Sequence, residues 1–178
     1  MTITLRIALP GDTPVLSALI ERSARGLSSG FYSPAQIDAA VRYVFGVDSG
    51  LVADGTYFLA SEGALIVGCG GWSRRRKLYG GDQRAAGESD WLDPSHEAAR
   101  IRAFFVAPEH VRRGIGRMLY QACESAARSA GFHRLELMAT LPGIPLYSAL
   151  GFQEQERVSD LLPDGTAIEF ARMERGIA

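Results

Sequence analysis

The segment Phe104-Phe105-Val106-Ala107-Pro108-Glu109-His110-Val111-Arg112-Arg113-Gly114-Ile115-Gly116-Arg117 decides how the rest of this chain is read. Its apolar start closes a longer alternation. Ala99, Ile101, Ala103 and Phe105 fall on one face and Arg100, Arg102, Phe104 and Val106 on the other, which predicts a strand ended by Pro108. Downstream, Ile115, Met118, Leu119, Ala122, Cys123 and Ala126 recur at helical spacing and predict a helix from Gly114 to about Ala130, stopped by Gly131. The first amides of a helix have no internal partner and carry the positive end of its dipole. Glycines at 114 and 116 leave room for an anion to approach those amides, and Arg112, Arg113 and Arg117 add charge. The combination suits a pyrophosphate. Two other phosphate motifs are excluded: a dinucleotide fingerprint needs glycine where Leu119 stands, and a P-loop needs Gly-Lys-Ser/Thr where the chain reads Gly116-Arg117-Met118.

Working toward the N-terminus, Ala64 to Trp72 and Tyr57 to Ser61 are two apolar runs joined at Glu62-Gly63, a β-hairpin signature. Before them lie a helix capped by Ser33-Pro34, with Ile37, Val41 and Val44 on one face, and a helix from Asp12 to about Leu27 with Asp12 as its expected N-cap. Ile3, Leu5 and Ile7 alternate as a first strand. Toward the C-terminus come a strand at Leu135–Met138, a short helix from Pro142 to Leu150, and strands around 152–158 and 167–173. Residues 73–96 fit no period. They contain Arg74-Arg75-Arg76-Lys77, expected to be a solvated cluster offset by Asp82, Glu88, Asp90 and Asp93, and residues 74–93 are expected to be a mobile lid.

The 178 residues and 47% apolar content suit a single mixed α/β domain spanning 1–178, without repeats or a linker. A net charge of −1 argues against a nucleic-acid binder. No run is long and apolar enough to span a membrane, and the N-terminus does not read as a signal peptide, so a cytoplasmic location is expected. Cys69 and Cys123 lack metal-ligand spacing and read as buried apolar side chains; no metal site is expected.

Val106-Ala107-Pro108-Glu109, three residues, then Arg113-Gly114-Ile115-Gly116-Arg117, followed by Pro145-Leu146-Tyr147-Ser148-Ala149-Leu150-Gly151-Phe152, resembles the GCN5-related N-acetyltransferase (GNAT) superfamily over essentially the whole chain. The resemblance implies a mostly antiparallel central sheet splayed at a cofactor cleft and flanked by about four helices. It implies acetyl-CoA as co-substrate, with the pyrophosphate on Val111, Arg112, Arg113, Gly114, Ile115, Gly116 and Arg117 and the pantetheine arm along Phe104, Phe105 and Val106. The family pattern usually has Gln or Arg where Val111 stands here.

The same resemblance assigns Tyr147 as general acid toward the CoA thiolate. Many relatives place a basic Glu on the strand that here carries Arg100 and Arg102; others use the next strand, which points to Glu136, with His96, Glu97 or a water relay as alternatives. The implied reaction is acetyl transfer to a primary amine of a small molecule or peptide, by direct attack in a ternary complex. The alternative is a catalytically silent acyl-CoA-binding or regulatory domain on the same fold. Residues 20–45 and 73–97 are expected to line the acceptor pocket, and the C-terminal edge strands allow a homodimer.

Overall fold

A computed structural model describes residues 1–84 and 90–177. The alternating segments become β1 (Ile3–Ile7), β2 (Tyr57–Glu62), β3 (Leu65–Ser73), β4 (Ala99–Val106), β5 (Arg134–Thr140), β6 (Gln153–Leu161) and β7 (Ala167–Gly176). They form one sheet in the order β1-β2-β3-β4-β5-β7-β6, antiparallel throughout except for β4 beside β5. The helices are α1 (Thr13–Leu27), α2 (Pro34–Tyr43), α3 (Ser49–Asp54), α4 (Ile115–Ser129) and α5 (Ile144–Ala149). Leu16 and Ile20 of α1 pack with Tyr57, Leu59 and Cys69 on one face of the sheet. On the other, Cys123 of α4 and Tyr147 of α5 join Phe132, Leu135 and Leu137. Both cysteines are buried and unpaired, as expected.

Among the described residues there are five α-helices where about four are implied. The extra one, α3, has six residues, too few for a periodic signal. It is set by its ends: the Asp48 carboxylate accepts from Leu51 N at 3.2 Å, and Gly55 stops the turn at φ 69°. The α2 start is a capping box, with Ser33 and Gln36 bonding each other's backbone. Asp12 stands at the expected N-cap position of α1, but its side chain makes no capping bond to the helix. Its carboxylate accepts from Leu9 N at 2.7 Å and from both terminal nitrogens of Arg6 at 2.8 Å, fastening β1 to the start of α1. That Arg6 contact lowers the Asp12 pKa to about 2.

The strict alternation expected along β4 is also corrected. Ala103 takes a positive φ of 55°, and Ala103 and Phe104 together oppose the single Gly70 on β3. This bulge inverts the pattern. Ile101 and Phe104 therefore share the α4–α5 face, while Ala103 and Phe105 pack toward α1.

The described residues of the 73–96 stretch, 73–84 and 90–96, are far from structureless. Arg75 bridges Trp91, Leu92 N donates to Arg74 O at 2.7 Å and Arg76 N to Asp90 O at 3.1 Å, so the two limbs zip together at their base. Arg74 and Arg75 stack on Trp91 at 4.1 and 4.4 Å. The basic run pairs with Asp54, Glu97 and Asp48 rather than with the acids Asp82, Asp90 and Asp93 of its own loop. Glu88 lies outside the described residues, as does the 85–89 part of the expected lid. The limb leading to it is anchored: Gly81 N reaches Val44 O at 2.8 Å, Asp82 N reaches Val47 O at 3.0 Å, and the Tyr79 hydroxyl donates to Asp160 at 3.0 Å.

The bulge is testable through Gly70, where an added Cβ would sit 2.7 Å from two ring carbons of Phe104. Gly70→Ala should cost about 1–3 kcal/mol of stability, because the Phe104 ring, packed edge-on to Tyr147, must shift to admit the new methyl group. A melting temperature several degrees below that of the parent is the expected calorimetric result.

Candidate active site

Strands β4 and β5 pair only at Ala99–Leu135 and Arg100–Glu136. Beyond that point they diverge, and a cleft of about 680 Å³ opens with residues 101–106 along one wall and Met138 and Thr140 on the other. Peptide groups of β4 on this side have lost their neighbouring strand, so the wall is a strand edge inside a sheet. At its mouth the chain turns through Arg112 (φ 64°) and Gly114 (φ 80°) into α4. The unpartnered amides of the first α4 turn thus open onto the cleft.

The two glycines of the turn have different jobs. Gly114 faces open space and is required by its positive φ. An added Cβ at Gly116 would stand 2.9 Å from Leu146 Cδ2, so its absence lets α5 close onto α4. Every residue assigned to the cofactor by resemblance lines the cleft except Arg113. The Arg113 guanidinium turns back to Glu62 at the tip of the β2–β3 hairpin, with Nη2 donating to Oε1 at 2.6 Å. The same carboxylate lies 3.1 Å from His110 Nε2. Hairpin and loop are thereby clamped, and the Glu62 pKa falls to about 2 because of Arg113 first and His110 second. Nothing in the residue pattern marks Glu62 as a partner of this loop, since the contact spans 51 residues of sequence.

Tyr147 lines the cleft from α5. Its ring packs edge-on to Phe104 at 6.2 Å and Phe152 at 5.8 Å, and burial, with the Cys123 thiol beside it, raises its hydroxyl pKa well above the ordinary tyrosine value. The proton therefore stays on the oxygen at neutral pH, as a donor requires.

Glu136 is placed differently. It is nearly buried, and Arg100 and Arg172 both bind its carboxylate, Arg172 Nη1 at 3.1 Å. It does not line the cleft, and neither does Glu97, which is held by Arg76 and the Asp93 amide, nor His96. The β4 arginines are likewise committed: Arg100 to Glu136, and Arg102 to Asp48 and the Gly80 carbonyl. Parts of the two segments expected at the acceptor pocket do line the cavity, with Phe31, Val44 and Phe45 from the first and residues 78–81 from the second.

Comparison with known proteins places this geometry. The sequence model described as the acetyltransferase (GNAT) family matches residues 25–152. Among curated proteins no sequence matches. A GCN5-related N-acetyltransferase from Rhodopseudomonas palustris superposes with a TM-score of 0.73 at 22% identity, covering 99% of this chain and 97% of its own. PaiA N-acetyltransferase from Thermoplasma acidophilum, solved with coenzyme A, gives 0.67 at 15% identity, covering 99% and 100%. YncA from Salmonella typhimurium, solved with its cofactor acetyl-CoA, gives 0.65 at 15% identity, covering 100% and 95%. At these identities the structural likenesses speak to the fold.

Two outcomes follow from the carboxylates. Glu136→Gln leaves Arg100 with a weakened partner in a nearly dry site and should lower stability by about 1–3 kcal/mol. Turnover should change by less than about threefold, whereas loss of a general base would cost about 10²–10⁴-fold. For Glu62 the depressed pKa sets the sign: its contribution is complete above the ordinary carboxylate pKa of about 4.3 and is lost as pH falls toward 2. Acid melts of Glu62→Gln should accordingly show a shallower loss of stability across that window than the parent.

Proposed function

The chain belongs to the acetyltransferase (GNAT) family and is an acyltransferase, and on that premise we propose that it carries acetyl groups from acetyl-CoA to the primary amine of a small molecule. The observation that supports this most directly is the parting of β4 from β5 with the α4 amides at its mouth. An extended pantetheine arm, which has its own amides, suits an interior strand edge better than a flat ligand does. The pyrophosphate would rest on the first turn of α4, with Arg112 and Arg117 supplying charge from the cleft wall. Residues Phe104, Phe105 and Val106 would offer backbone groups to the arm and direct the thioester toward Tyr147.

In this reading the acceptor nitrogen attacks the thioester carbonyl in a ternary complex, without an acyl-enzyme. Cys69 and Cys123 are fully buried, and burial raises both thiols, Cys69 to about 12, so neither supplies a thiolate nucleophile. Main-chain N–H groups beside Val106 would hold the oxyanion. As the tetrahedral intermediate collapses, the C–S bond breaks and the amide C–N bond remains. Tyr147 donates its hydroxyl hydrogen to the departing sulfur and takes a proton back from solvent, to which the proton shed by nitrogen is released. The packing role of the Tyr147 ring and the donor role of its hydroxyl are compatible, since they use different ends of the side chain.

Two measurements test the proposal. CoA should stabilise the protein by about 2.7 kcal/mol at a hundredfold excess over its Kd, and Arg117→Glu, on an exposed position of the cradle, should weaken that binding at least about tenfold. Tyr147→Phe should cut single-turnover acetyl transfer by about 10²–10⁴-fold with CoA affinity unchanged. Transfer within about twofold of the parent would remove Tyr147 from the chemistry.

A further inference from the structure

Away from the α4 start, the cavity wall is built from Val44, Phe45, Tyr79, Met138 and Phe170, with Phe31 about half exposed at the rim. The aromatic members interlock: Tyr79 lies 5.4 Å from Phe170, and Phe45 lies 6.5 Å from Phe170 and 5.8 Å from Phe105. The ionisable side chains that line the cavity among the described residues are Tyr79, Arg102 and Tyr147, with His110, Arg112 and Arg117 toward the cradle. None of these can carry a negative charge at neutral pH. No carboxylate lines the cavity among the described residues: Asp48 pairs with Arg102, Asp160 with Arg84 and the Tyr79 hydroxyl, and Glu136 with Arg100 and Arg172.

An ammonium group entering such a chamber would shed its hydration and find no free carboxylate to replace it, since Asp48 is already spent on Arg102 and only the faces of the aromatic rings are left to offset the loss. It would also have to lose a proton before nitrogen could attack. An amine that is already uncharged meets neither obstacle. Resting on the acetyl-transfer reading above, we propose that the acceptor is a small, weakly basic amine on an aromatic or branched apolar body, which enters the cleft in its neutral form. Polyamines and other strongly basic alkylamines are then poor acceptors. The chamber provides shape and dryness, while the proton is removed by bulk water before binding.

The test compares phenylalaninamide, 2-phenylethylamine and spermidine as acceptors with acetyl-CoA. An α-amine of pKa near 8 is about one-fifth neutral at pH 7.4 and an alkylamine of pKa near 10.4 about one-thousandth, so kcat/KM should favour phenylalaninamide by roughly 200-fold over 2-phenylethylamine. Plotted against pH, kcat/KM should rise tenfold per unit and level off at the pKa of each acceptor. A common inflection for all acceptors would reveal a base on the enzyme, and spermidine as the best acceptor would show that cations are welcome; either result overturns the proposal. Phe31→Glu, which places a carboxylate at the exposed rim, should raise 2-phenylethylamine relative to phenylalaninamide at least about tenfold without changing CoA affinity. An unchanged ratio would count against the charge argument. If CoA binds but phenylalaninamide is not acetylated, the acceptor proposal falls alone; if CoA does not bind, the reading beneath it falls too.

Discussion

When two neighbouring strands run parallel and then separate, the peptide groups facing the gap keep their need for hydrogen bonds and lose the chain that met it. Much else in this molecule is arranged around that gap between β4 and β5. Arg100 and Arg172 both bind the Glu136 carboxylate at the last paired position, so the strands are held together up to Arg100–Glu136 and released after it. The bulge at Ala103 then turns Phe104 toward Tyr147 and Phe105 toward Phe45, giving the open wall an aromatic lining on both sides. Helix α4 starts where β4 ends, and its exposed amides stand at the mouth of the opening. Strand divergence, bulge and helix start thus form one local solution to one backbone problem.

The charges follow a related logic. This chain has nearly balanced acids and bases, and the structure uses them as ties between segments distant in sequence. Glu62 joins the β2–β3 hairpin to the turn that leads into α4, Asp48 joins the α3 cap to Arg102 on β4, and Asp160 joins β6 to the limb carrying Tyr79. Each tie removes a carboxylate from the cleft. Among the described residues no carboxylate lines the cavity, which keeps an apolar and cationic character.

Much of this was legible in the residues. Apolar alternation located the strands, glycines and prolines marked most boundaries, and the run from Phe104 to Arg117 identified the cleft-forming segment. What could not be read were features settled by contacts across the chain. Ala103 carries no glycine-like signal for its positive φ; the bulge is visible only once Gly70 lies opposite. Glu136 in Leu-Glu-Leu reads as an exposed strand residue or a base until Arg172, 36 residues away, comes to meet it. Asp12 suits an N-cap by local rules, and a neighbouring strand's Arg6 competes successfully for it. Gly116 looks like room for an anion and proves to be room for Leu146. For Glu136, Asp12 and Gly116 local chemistry marked the residue as special and tertiary contact chose its partner.

The interior position of the open β4 edge has one more consequence. A bare strand edge on the outside of a sheet invites another copy of the chain to add to it. One of the sheet's two outer edges, β6, carries Glu154, Glu156, Arg157 and Asp160 along an exposed strand, the kind of charged border that discourages stacking between molecules. The β4 edge needs no such border, because β5 and β7 stand on its far side and leave room for a single slender chain rather than for a sheet. The fold can therefore keep reactive backbone permanently on offer to a ligand without offering it to its own kind.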